Sequence, residues 1–169
     1  MRQTMVQLKR VATLFACGTI LAFTAAAQSA ATTITETPGN YSRDTTVTGA
    51  NGKTATYQDN AAWGNGSYTG TRTVTGFNGQ TATSNTTASY SPGSTSRTTT
   101  ATGFNGQSTT YQNNRSWGNG VYSDTKSYTG VNGGTRTDTV SRSGGVVTNT
   151  FTGRNGNSRT LTRPARYRR

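Results

Sequence analysis

The sequence contains no histidine and only one cysteine, Cys17. Acids are nearly as scarce: Glu36, Asp44, Asp59, Asp124 and Asp138 are all there are, and none has a near neighbour of its own kind in the sequence. General acid–base catalysis needs a titratable group held beside its partner, and serine or threonine needs a base before it becomes a nucleophile. Neither condition is met. No G-x-x-x-x-G-K-[ST] string occurs, so a phosphate loop is excluded. Asp59-Asn60 and Asn113-Asn114 offer two oxygen donors per unit, too few for a hard cation, and read as turn residues. The expectation is a non-enzymatic chain with no cofactor, no metal and no small-molecule substrate.

Apolar residues are also in short supply. They make up 29% of the chain, well below the roughly 45–50% usual for globular proteins, which argues against a thick two-layer core. Disorder does not follow, because only 13% of residues are charged and β-branched threonine favours a half-exposed strand surface.

The one long hydrophobic run lies near the N-terminus. Arg2, Lys9 and Arg10 precede an uncharged stretch from Val11 to Ala27, and Ala25-Ala26-Ala27 and Ser29-Ala30-Ala31 are small-residue cleavage sites. This pattern predicts a secretory signal peptide over residues 1–30. The run sits at the short limit for crossing a bilayer, and no second one follows. Leu14-Phe15-Ala16-Cys17 loosely matches a lipidation box, but Phe15 fits it poorly and the apolar stretch continues past Cys17. Cys17 is therefore read as filler lost with the signal, leaving no disulfide or thiolate chemistry. The expected location is outside the cytoplasm: periplasm, outer surface or medium.

The rest of the chain is repetitive. T-G-x-N-G recurs with its first glycine at Gly49, Gly76, Gly103, Gly130 and Gly153, at spacings of 27, 27, 27 and 23. A fixed period of this size marks a repeat architecture. A longer alternation lies over it, since Tyr57-Gln58, Trp63-Gly64-Asn65-Gly66 and Tyr68 return as Tyr111-Gln112, Trp117-Gly118-Asn119-Gly120 and Tyr122. The intervening unit has Tyr90-Ser91-Pro92-Gly93 in place of the tryptophan turn. Domain organisation follows: signal 1–30, short linker 31–40, hairpin repeats 41–163, and a basic tail 164–169.

Each unit reads as two strands and two turns. Threonines at every second position, as at Thr71, Thr73 and Thr75, give a strand period. The turns are predicted at Asn51-Gly52, Asn78-Gly79, Asn105-Gly106, Asn132-Gly133 and Asn155-Gly156. Directly opposed antiparallel residues share a face, so parity restricts loop length. A three-residue Phe77-Asn78-Gly79 loop pairs Thr75 with Thr81 and Val74 with Ala82, keeping threonines together. A four-residue loop at Trp63-Gly64-Asn65-Gly66 pairs Thr56 with Thr73. The predicted fold is all-β: an antiparallel meander of about ten strands of about 8–10 residues, forming an elongated single sheet or flattened ribbon. The alternative is a parallel β-solenoid.

Threonine then lines one face. The other mixes Tyr41, Val47, Tyr57, Val74, Tyr111, Tyr128, Phe151 and Leu161 with Arg43, Arg72, Arg97 and Lys126. Those cations argue against a transmembrane barrel, at roughly 2–4 kcal/mol each near the bilayer centre.

The tail supplies the excess charge. Arg154, Arg159, Arg163, Arg166, Arg168 and Arg169 fall in the last 16 residues with no acid among them. Such a block attracts anionic surface polymers or polysaccharides, and nucleic acid only as a non-specific polyanion. Trp63, Tyr68, Tyr90, Trp117 and Tyr122 are candidate surface-contact residues. The leading expectation is an exported, non-catalytic protein with a structural or adhesive role at a bacterial cell envelope. Self-association through open sheet edges into a fibre or biofilm matrix is the first alternative. Ice binding by Thr-x-Thr arrays is the second.

Overall fold

The computed structural model describes residues 27–165, and every element in them is a strand. The first four are β1 (Ala27–Thr37), β2 (Asn40–Gly49), β3 (Thr54–Gly64) and β4 (Ser67–Thr75). They are followed by β5 (Thr81–Ser91), β6 (Ser94–Thr102), β7 (Ser108–Gly118) and β8 (Val121–Thr129). The last three are β9 (Thr135–Ser143), β10 (Val146–Thr152) and β11 (Ser158–Pro164). All eleven form one open sheet in chain order, each antiparallel to the next. The fold is the antiparallel meander, and the parallel solenoid is not formed. Residues 31–37, expected in a linker, lie in β1, which itself begins inside the expected signal segment. The remainder of that segment, residues 1–26, lies outside the described residues.

Two kinds of turn alternate along the chain, one at each end of the strands. The first is the three-residue loop. Thr75 pairs with Thr81, Val74 with Ala82 and Thr73 with Thr83, the register that face parity demanded. Gly76 N–H donates to Gln80 O (2.9 Å) and Gly79 N–H to Gly76 O (2.9 Å). Gly79 sits at φ +77°, a left-handed conformation that glycine enters without a Cβ clash. Asn78 completes the loop by accepting from Gln80 N–H through its Oδ1 at 3.1 Å.

The second turn corrects the four-residue expectation. Gly64 pairs with Ser67 and Trp63 with Tyr68, so the loop is Asn65-Gly66 alone, and Thr56 opposes Thr75 rather than Thr73. Asn65 at φ +48° and Gly66 at φ +72° are both left-handed, the combination a two-residue turn needs to match strand twist. Loops of two and four residues give the same face parity, and the Asn-Gly dipeptide decides between them. Pro38-Gly39 and Pro92-Gly93 occupy corresponding turns, with Gly39 and Gly93 both at φ +82°, where proline presets the preceding residue.

The register sorts the side chains by chemistry. Across β4, β5 and β6 one face runs Thr73–Thr83–Thr102 and Thr69–Thr87–Thr98. From β8 to β10 it runs Thr125–Thr139–Thr150. Hydroxyls pair across strands on this face, as at Thr129–Thr135 (2.8 Å), Thr150–Thr160 (3.0 Å) and Thr152–Ser158 (2.7 Å). Asp44 is the one charged strand residue in that array, capped by Gln58 Nε2 at 3.0 Å. The opposite face carries the aromatic and remaining charged strand residues and most of the aliphatic ones, Val121 and Val146 standing at strand starts on the threonine side.

Hardly anything is buried. Ala55 and Ala88 are the only buried hydrophobic residues among those described. The accessible surface is 12212 Å², against about 8,000 Å² for a compact chain of this mass. Cohesion therefore rests on the ladder hydrogen bonds and on cross-strand side-chain pairs, each worth about 0.2–1 kcal/mol.

Aromatic rings act as a thin cover in place of a core. Tyr57 donates its hydroxyl to Asp59, two residues along the same strand (3.3 Å). Tyr68 lies back over Gly70, where a Cβ would come within 2.5 Å of its hydroxyl oxygen. Burial raises the pKa of both phenols above the ordinary value near 10, with the Asp59 carboxylate adding to it. A folded-state value above the unfolded one favours folding below pH 10, and that contribution disappears as pH rises through the folded value. Far-UV circular dichroism should thus show the sheet weakening above pH 10, less steeply in Tyr57→Phe.

Candidate binding surface

The charged face is built strand by strand from the alternation. Arg43, Arg72, Arg97, Arg115, Lys126, Arg136, Arg142, Arg159 and Arg163 all share it, as the register from β2 to β11 requires. No described lysine or arginine in a strand points to the threonine side. The distribution along the sheet is uneven. In β1–β5, Arg43 and Arg72 are matched by Glu36 and Asp59. From β6 onward, only Asp124 and Asp138 offset the remaining cations.

Two carboxylates organise this face. Asp59 receives Arg72 Nε at 3.2 Å, and Arg43 lies over the Tyr57 ring, 5.6 Å from its centroid. Asp124, the single buried charged residue among those described, receives Arg115 Nε at 3.2 Å with Lys126 Nζ at 3.8 Å. It also accepts from Asn113 Nδ2 and, at 3.4 Å, from the Tyr122 hydroxyl. Asp59-Asn60 and Asn113-Asn114 are therefore mid-strand residues of β3 and β7, which corrects their reading as turns. The signal that finds these clusters is a tyrosine two residues before an acid, Tyr57–Asp59 and Tyr122–Asp124, combined with the two-residue turn that brings arginine across.

The five aromatic contact candidates fall into two pairs and a single ring. Trp63 opposes Tyr68, Trp117 opposes Tyr122, and Tyr90 opposes Thr95. Tyr90 and Trp117 are exposed, whereas Trp63, Tyr68 and Tyr122 are half-buried. Three of them share a backbone anchor. Trp63, Tyr90 and Trp117 donate their N–H to the carbonyls of Gly39 (2.7 Å), Gly66 (2.6 Å) and Gly93 (2.8 Å). Each aromatic is thereby fixed beside the tight turn of the preceding hairpin. The structure does not gather the five into one patch.

The basic candidates near the C-terminus divide likewise. Arg159 and Arg163 lie on the charged face opposite Phe151 and Val147. Arg154 folds over the β8–β9 turn, its guanidinium 3.6 Å from where a Gly130 Cβ would stand. Arg166, Arg168 and Arg169 lie outside the described residues. Phe151 and Leu161 remain exposed among these cations.

The threonine face has a shallow hollow, wide open to solvent, lined in part by Thr35, Asn40, Ser42, Asn60, Thr69 and Thr71. It forms where the small Ala62 sits between Asn40 and Thr69. Its lining carries hydrogen-bonding groups and no charge. No family model matches the chain, and no similar protein emerges among curated sequences or solved structures.

Proposed function

We propose that the chain is an exported, non-catalytic structural protein that adheres, through its charged face, to an anionic polymer of a bacterial cell envelope. The observation that supports this reading is the segregation of charge. Every described strand cation projects from one side of a single-layer sheet, and the surplus builds toward β11. A sheet with no interior to fill spends its side chains on its surfaces, and a face with a surplus of positive charge concentrates polyanions by long-range attraction. The arginines after β11 extend the same surplus.

Retention on immobilised lipopolysaccharide or an acidic polysaccharide tests the proposal. Binding should weaken as salt screens the charges. Replacing Arg154, Arg159, Arg163, Arg166, Arg168 and Arg169 by glutamine should cut retention by at least about tenfold, roughly 1.4 kcal/mol. Replacing Thr83 and Thr102 by serine on the opposite face should leave it unchanged. Equal retention of the glutamine variant would remove the basic end from the account.

A further inference from the structure

The sheet is open, with β1 at one edge and β11 at the other. An unpaired edge strand presents free N–H and C=O groups that template further pairing unless charge, proline or a short length blunts it. The two edges differ in this respect. β11 carries Arg159 and Arg163 and ends on Pro164, which has no N–H. β1 is uncharged from Ala27 to Thr35, holds no proline, and has its one acid, Glu36, beside its last residue. Among the described residues, Ile34 on β1 and Leu161 on β11 are the most exposed large hydrophobic side chains, at 60% and 59%.

The hairpin geometry states which groups of β1 are free. The pair flanking a two-residue loop is hydrogen-bonded, and bonded and non-bonded pairs then alternate. The loop Pro38-Gly39 is flanked by Thr37 and Asn40, so Thr37, Thr35, Thr33 and Ala31 direct their backbone groups to β2. Ala30, Thr32, Ile34 and Glu36 direct theirs outward.

We infer that a second copy of this chain docks antiparallel on β1, with Ile34 of each copy opposite the other across a two-fold axis. In that register the two Ile34 residues exchange both backbone hydrogen bonds, their side chains meet on the charged face, and Glu36 faces Thr32 of the second copy. No like charges are opposed. Such an isologous contact closes on itself, so assembly stops at a dimer. On β11 the odd residues Arg159, Leu161 and Arg163 bond to β10, so two copies meeting with Leu161 opposite itself form a non-hydrogen-bonded pair there. That register also sets Arg159 against Arg163 of the second copy, where directly opposed like charges are destabilising. A head-to-tail contact of β1 with β11 would be parallel, because odd-numbered strands all run one way, and would leave free edges that propagate a filament. The inference does not depend on the anionic ligand proposed above.

Sedimentation equilibrium of the purified protein, from about 1 to 300 μM, tests it. A seven-residue strand contact is small, so the expected behaviour is a monomer–dimer equilibrium in the micromolar range. Ile34→Lys should raise the dimer dissociation constant at least tenfold, while Leu161→Lys on the far edge should leave it unchanged. Thr32→Glu, which sets a second carboxylate opposite Glu36 of the other copy, is the second disrupting variant, and far-UV circular dichroism confirms that each variant keeps its sheet. Three results would overturn the inference: a monomer across the whole range, a dimer indifferent to both β1 variants, or open-ended oligomers and thioflavin-positive fibres.

Discussion

Gly66→Ala is expected to destabilise the protein by about 2–4 kcal/mol, while Gly79→Ala costs only about 1–2 kcal/mol. Both glycines are left-handed, at φ +72° and +77°, so both variants incur the conformational penalty. They differ in what surrounds them. A Cβ at Gly79 meets nothing within 4 Å, whereas one at Gly66 runs into the Tyr90 carbonyl oxygen. The same Gly66 accepts the Tyr90 N–H through its carbonyl at 2.6 Å. Relieving the clash means moving the end of β5 away and losing that bond. Urea titration distinguishes the two, with midpoints falling by different amounts at constant slope. Equal losses would show that the Gly66–Tyr90 contact does not constrain the sheet.

The second large effect belongs to Asp124→Asn, at about 2–3 kcal/mol. Asp124 is 8% exposed and receives donors from Asn113, Arg115, Tyr122 and Lys126. An amide at this position removes the charge that the two cations face and turns a donor toward other donors. The cost stays below that of a wholly buried ion pair, because the side chains of Arg115 and Lys126 are 46% and 47% exposed and recover water when released. Asp44→Asn provides the contrast. Asp44 lies on the threonine face among exposed neutral donors, Gln58 and Ser42, and its loss should cost under about 1 kcal/mol. If both variants unfold at the same denaturant concentration, the Asp124 cluster is decoration.

The sorting of side chains between the two faces was legible in the sequence because it depends on parity alone. Thr73, Thr83 and Thr102 stand on one side whichever even-length tight turn is chosen. Register was less legible for the same reason. With a four-residue turn, Asp59 would oppose Gly70; with the observed two-residue turn it opposes Arg72. Likewise Arg115 reaches Asp124 only across the Asn119-Gly120 turn. The misplaced turn thus concealed both carboxylate clusters, while Asp59-Asn60 and Asn113-Asn114 were read as turns because Asp and Asn are turn-forming residue types. The backbone bonds from Trp63, Tyr90 and Trp117 to glycine carbonyls were beyond sequence reading altogether. They join residues 24 positions apart and follow from the offset between neighbouring hairpins, which no local pattern encodes. β1 was missed because Ala27–Thr37 has no repeat motif, and its pairing is imposed by β2.

That offset has a further consequence. Trp63 leads across Tyr68 to Ala88, two positions short of Tyr90, the residue one sequence repeat later. Each hairpin thus slides by about 7 Å along the strands for every 10 Å or so across them. The last unit, four residues shorter, keeps the same slide, because Thr137 leads through Thr152 to Ser158 and its two strands were trimmed evenly. Recombination between near-identical repeats can therefore lengthen or shorten the ribbon by whole hairpins, or by paired trims, without turning any side chain over. The gene can alter the reach of the molecule while leaving the chemistry of both surfaces untouched.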